Sequence, residues 1–119
     1  MRVLVVEDVF LQRMALVAAL EEAGCEVLQA SNADAALAQF DDGLRVHAVV
    51  TDVQMPGSLD GVALAGIARQ RWPDMGIVVV SGHSQPQADE LPTDARFIAK
   101  PVPVSRLLET LRELVRTQS

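Results

Sequence analysis

Apolar residues in this chain fall into short unbroken runs that each stop at a polar residue. Val3-Leu-Val-Val6 runs into Glu7-Asp8, and Val46-His-Ala-Val-Val-Thr51 runs into Asp52. Ile77-Val-Val-Val80 runs into Ser81-Gly82, and Phe97-Ile-Ala99 runs into Lys100-Pro101. Continuous rather than alternating apolar positions predict strands buried on both faces, at 2–6, 46–51, 76–80 and 96–99. Glu26–Gln29 adds a short second strand.

Between them the spacing predicts helices at 9–23, closed by Gly24, at 33–42, capped by Ser31 or Asn32, and at about 62–72, stopping before Pro73. Asp34 lies near the positive end of the second helix, and Asp41-Asp42-Gly43 ends it. From about 104, Leu107, Leu108, Leu111, Leu114 and Val115 form one apolar stripe of a last helix. The tail Thr117-Gln-Ser119 is expected to fray. Gly82, Pro86 and Pro92 leave room for only a short helix near 86–91. The first helix is apolar around much of its girth. Leu11, Ala15 and Ala18 are expected to face the sheet, while Phe10, Met14 and Val17 form a second stripe, either core or a docking patch for a partner helix.

Strands alternating with helices through short connections predict one domain over residues 1–119, a three-layer, doubly wound α/β fold with a parallel sheet. In such a sheet all strands point one way, so the polar residues that end the runs gather at one edge. That edge, outside the carboxyl ends of the strands, is where these sheets bind ligands.

Composition narrows the class. The chain has 119 residues, is 50% hydrophobic and carries a formal charge of −6, which disfavours nucleic-acid binding because no basic excess is available to neutralise phosphate. Its single cysteine, Cys25, cannot form an internal disulfide and fits a reducing cytoplasm. No signal segment is visible, and no apolar run approaches the ~20 residues needed to cross a bilayer.

Glu7, Asp8 and Asp52 together would repel one another unless a cation joins them. Mg²⁺ suits that setting, since it takes oxygen ligands and commonly one or two carboxylates plus a phosphate. Lys100 adds a mobile positive charge and Ser81 a hydroxyl. Metal, ammonium and hydroxyl around one carboxylate make a cradle for a phosphoryl group, and a carboxylate can itself be the nucleophile. Each residue also has a plain explanation as a turn former or solvated surface charge. What argues against those is their coincidence at one sheet edge.

The set Val5-Val-Glu7-Asp8, Thr51-Asp52-Val-Gln-Met55-Pro56, Asp60-Gly61, Val80-Ser81-Gly82 and Phe97-Ile-Ala-Lys100-Pro101 resembles, in order and spacing, the receiver domain of two-component response regulators. The resemblance covers nearly the whole chain. It implies a flavodoxin-like five-stranded sheet of order 2-1-3-4-5, in a bacterial, cytoplasmic signalling protein. It implies that Asp52 takes a phosphoryl group from a histidine kinase or a histidine phosphotransfer protein. Mg²⁺, or Mn²⁺ in its place, would be held by Asp8, Asp52 and the backbone carbonyl of Gln54, with Glu7 acting mostly through water. Lys100 would pair with Asp52 and then with the phosphoryl group. Ser81 would move toward that group, Phe97 would be the switch aromatic, and the Lys100–Pro101 bond would be cis. No activity is implied beyond self-catalysed phosphotransfer and slow dephosphorylation.

Three departures stand out. Ser58 is one extra residue before Asp60-Gly61. The interval from Ser81 to Lys100 is short and broken by two prolines, which predicts a shortened fourth helix. Val102 stands where an aromatic is more usual. Gln54 and His83 lie where the family tunes water access; His83 is a poor ligand for Mg²⁺. The chain begins at Met1 and ends after its last predicted helix, so a stand-alone switch is expected, signalling to an unidentified partner by contact or onward phosphotransfer. Two competitors are a receiver-like module that works without phosphate and a small phosphohydrolase. The latter needs Asp-x-Asp after the first strand, where this chain reads Asp8-Val9-Phe10.

Overall fold

A computed structural model describes residues 1–82 and 90–116. Five strands run β1 (Arg2–Val6), β2 (Glu26–Ala30), β3 (Ala48–Asp52), β4 (Gly76–Ser81) and β5 (Arg96–Ala99). Among the described residues the helices are α1 (Phe10–Glu22), α2 (Ala33–Asp41), α3 (Gly61–Arg71) and α4 (Val104–Arg116). The strands form one all-parallel sheet of order β2-β1-β3-β4-β5. Most of the segment expected to hold a short helix at 86–91, His83, and the tail at 117–119 lie outside the described residues.

The unbroken apolar runs follow from burial on both faces. Leu4, Val6, Val49, Ile77 and Val79 point to one side and pack with Ala36 and Phe40 of α2 and Leu64, Ala65 and Ala68 of α3. Their neighbours Val3, Val5, Val50, Val78 and Val80 point to the other and pack with Val17 and Leu20 of α1 and Leu107, Leu111 and Leu114 of α4. Each Val, Leu, Ile or Phe among them, taken fully out of water, contributes about 1.5–3 kcal/mol before entropy is counted. The expected stripe of the last helix is therefore the buried one. Of the two candidate caps for α2, Asn32 does the work, its side chain accepting from Ala35 N at 2.7 Å. No helix of the described residues is long and apolar enough to cross a membrane.

The expected rotation of α1 is corrected. Leu11 is 76% exposed, and Ala15 and Ala18 also face solvent. Val17 and Leu20 are buried instead, with Met14 and Leu16 packed beside them. A helix apolar around most of its girth gives no periodicity to fix its rotation. Packing decided it: branched Val17 and Leu20 fill the space over Val3 and Val5 that two alanines would leave empty.

Strand ends also moved. The central strand starts at Ala48 and takes in Asp52, and β4 takes in Ser81. Both chemistry-bearing residues are thus part of the sheet and share its rigidity.

The chain returns to the site through Asp60-Gly61. Asp60 caps α3 by accepting from Ala63 N at 2.8 Å, and Gly61 N donates to Val53 O at 2.8 Å. A Cβ at Gly61 would collide with the carbonyl of Asp52, so only glycine lets α3 start this close to the end of β3. Gly61→Ala is expected to cost about 1–3 kcal/mol of stability, read from urea unfolding. A loss below about 0.5 kcal/mol, the usual range for a neutral surface change, would contradict this packing.

Candidate functional site

Strand pairing brings the polar residues to one edge. Val6 of β1 is opposite Thr51, Asp52 is opposite Val80, and Ser81 is opposite Ala99. Glu7 and Asp8 follow β1 and Lys100 follows β5, so five groups from four strands meet there. Backbone bonds extend the ladder past the strands. Glu7 N donates to Ala30 O at 3.1 Å, Val53 N to Val80 O at 3.0 Å, and Lys100 N to Ser81 O at 2.9 Å. The last bond sets hydroxyl and ammonium side chains on adjoining chain segments. The Lys100–Pro101 peptide bond is cis.

Lys100 Nζ donates to Asp52 Oδ2 at 2.9 Å, to Glu7 Oε1 at 2.7 Å and to Gln12 Oε1 at 2.6 Å. Glu7 is 1% exposed and also accepts from Val9 N at 3.2 Å. Asp52 and Ser81 are buried, whereas Asp8 is exposed. Oxygen atoms of Glu7, Asp8 and Asp52 all lie within 4.8 Å of one another. An all-oxygen set of three acids is the donor chemistry that hard divalent cations select. In front of the acids a cavity of about 420 Å³ is lined by Asp8, Asp52, Gln54, Ser81 and Lys100, among others.

Burial pushes the Glu7 carboxyl above the usual glutamate range. The bond from Lys100 and that from Val9 N oppose this, and the charge of Asp52 reinforces it. Burial alone would lower the Lys100 ammonium, but its bonds to Glu7 and Asp52 and their charges outweigh that and raise it. The lysine is therefore a fixed positive charge at neutral pH.

Sequence reasoning did not find Gln12. Its one mark is a lone carboxamide among Phe10, Leu11 and Met14, in the first turn of the helix that begins at the sheet edge. Nor did it use the fact that Lys100 is the only lysine, the other nine basic residues being arginine.

Phe97 is half-buried and packs on the α2–α3 side of the sheet. Ser58, in the loop before Asp60, is tied to α2, its hydroxyl donating to Asp34 Oδ1 at 3.3 Å. The three-residue docking patch is corrected. Val17 belongs to the core and Met14 is half-buried against it, so of the three only Phe10 is exposed, at 61%, with the Arg13 guanidinium 5.5 Å from its ring centre.

A pH dependence follows from Glu7. The fold favours its protonated form, so its contribution to stability is full below about pH 4.5, the ordinary glutamate value, and is lost as pH rises through the higher folded value. In chelator-treated protein Glu7→Gln is expected to gain stability relative to wild type as pH rises through that window, read from urea unfolding at several pH values. Parallel pH profiles for the two proteins would contradict the raised carboxyl.

Comparison with known proteins converges on one family. The sequence model of the response regulator receiver domain matches residues 3–112. The response regulator receiver protein CpdR of Brucella abortus is 30% identical over 118 residues, covering 96% of this chain and 96% of CpdR. The sensor kinase CckA of the same organism is 37% identical over 98% of this chain, which spans only 13% of that kinase's length. A receiver protein from Sinorhizobium medicae superimposes with a TM-score of 0.94 at 26% identity, covering 99% of this chain and 96% of the other. The chain belongs to the receiver domain family of two-component response regulators.

Proposed function

We propose that the chain is a phosphoacceptor switch in which Asp52 takes a phosphoryl group from a phosphohistidine on a kinase or phosphotransfer protein. The observation that carries this reading is the position of Lys100 Nζ, 2.9 Å from Asp52 Oδ2, with both residues lining one open cavity. Burial alone accounts for pairing the carboxylate with a cation, but not for leaving that pair open to a cavity that Asp8, Gln54 and Ser81 also line.

With Oδ2 engaged by Lys100, Oδ1 is the oxygen left to attack. Its lone pair forms the new bond to phosphorus while the bond from phosphorus to the donor's imidazole nitrogen breaks. The nitrogen keeps the electron pair, and the product is a mixed anhydride on Asp52. In this reading Lys100 and the Ser81 hydroxyl, which line the same cavity, stabilise charge on the transferred oxygens. Asp8, Asp52 and the carbonyl of Gln54 would hold Mg²⁺ or Mn²⁺, with Glu7 acting mostly through water. That division suits the burial, since Glu7 is already engaged by Lys100 and Val9 N while Asp8 is exposed. When bound, the cation neutralises negative charge on the phosphoryl oxygens.

Phosphorylation adds up to about two negative charges beside Ser81 and Lys100. The response is a population shift in which Ser81 moves toward the phosphoryl group and Phe97 changes rotamer. Signalling goes through protein contact or onward phosphotransfer, in keeping with a cytoplasmic location.

With Mg²⁺ and acetyl phosphate, intact mass is expected to rise by one phosphoryl group, and chelation or Asp52→Asn to abolish the rise. An unmodified wild-type protein would overturn the reading. Lys100→Met is expected to slow phosphorylation about 10²-fold, the scale for losing one charge-stabilising donor. An unaltered rate would remove Lys100 from the mechanism.

A further inference from the structure

An ammonium has three N–H donors, and at Lys100 all three are taken. Its acceptors are Gln12 Oε1 at 2.6 Å, Glu7 Oε1 at 2.7 Å and Asp52 Oδ2 at 2.9 Å. A phosphoryl oxygen can bind this ammonium only by displacing one of them. Glu7 cannot be released cheaply, because its buried carboxylate would keep only the Val9 N bond and lose its counter-charge. Asp52 keeps its bond through Oδ2 if the phosphoryl group enters at Oδ1. Gln12 is neutral and exposed, and water replaces its lost partner at little cost.

Gln12 also sits at a boundary. It lines the phosphoacceptor cavity together with Lys100, and the same two residues line a second cavity of about 500 Å³ walled by Leu16, Pro101 and Val102. The bond between carboxamide and ammonium therefore lies where the two spaces adjoin.

We propose that Gln12 is a positioning residue, a neutral placeholder that occupies the Lys100 donor which a phosphoryl oxygen on Asp52 later takes over. This rests on Asp52 being the phosphoacceptor. Its consequence is thermodynamic. The Gln12 bond stabilises the resting state and not the phosphorylated one, so removing the acceptor favours the phosphorylated form. Replacing it by a carboxylate has the opposite effect, since a charge-assisted bond holds the ammonium more strongly.

The test uses beryllofluoride with Mg²⁺ as the phosphoryl mimic, titrated into wild type, Gln12→Met and Gln12→Glu. Lysine-selective isotope labelling gives a single side-chain NMR signal, because Lys100 is the only lysine. Gln12→Met keeps the length and helix preference of the side chain without its acceptor. It is expected to bind the mimic roughly two- to tenfold more tightly, and to shift the resting Lys100 signal, which a residue that only supported the helix would not do. Gln12→Glu is expected to bind more weakly. Unchanged or weaker binding by Gln12→Met overturns the placeholder role while wild-type binding leaves the phosphoacceptor reading in place. Wild type that takes neither beryllofluoride nor acetyl phosphate overturns both.

Discussion

One ammonium held between two carboxylates ties the sheet edge together. Lys100 reaches Glu7 and Asp52 across separations of 93 and 48 residues in sequence. Removing these charges from water costs several kcal/mol per ion, and the pair is sustained only if geometry is good and the remaining donors are satisfied. Here the third donor has its own acceptor in Gln12. Strand order calls for a long cationic side chain. β4 lies between β5 and β3, so the gap is two strand spacings, about 9.5 Å. Two short side chains cannot close that distance, whereas a lysine meeting an aspartate can.

That constraint explains features that look unrelated along the chain. Asp52 has to sit at the rigid end of β3, and it does so as the last residue of the strand. The loop after it must turn back at once without covering the carboxylate. Gly61 meets that demand by letting α3 begin against the Asp52 carbonyl, and Asp60 meets it by capping the same helix. Both faces of the sheet are sealed by aliphatic packing, so the edge is the place where polar groups can gather without loss to the core.

The sheet, its order and the converging acids, hydroxyl and lysine were legible because each is written locally. An apolar run followed by a polar residue marks a strand end, and Asp-Gly after a loop marks a helix start. Family likeness supplied the order of the strands, which periodicity alone does not. The rotation of α1 was not legible, since Leu11, Ala15, Val17 and Leu20 are all apolar and only the space above Val3 and Val5 distinguishes them. Gln12 was missed for a related reason. Its importance lies in a bond to a residue 88 positions away, and nothing in its neighbourhood announces that. The raised Glu7 carboxyl is likewise a product of burial in the assembled fold.

The central claim is that Asp52, among three clustered acids, is the group that carries the phosphoryl load. Its most direct test is chemical. Borohydride reduces an acyl phosphate to the alcohol, converting a phosphorylated aspartate into homoserine. Protein treated with Mg²⁺ and acetyl phosphate, then borohydride, and mapped by peptide mass spectrometry should carry homoserine at position 52. Reduction at position 7 or 8 instead, or at no acid at all, would contradict the account.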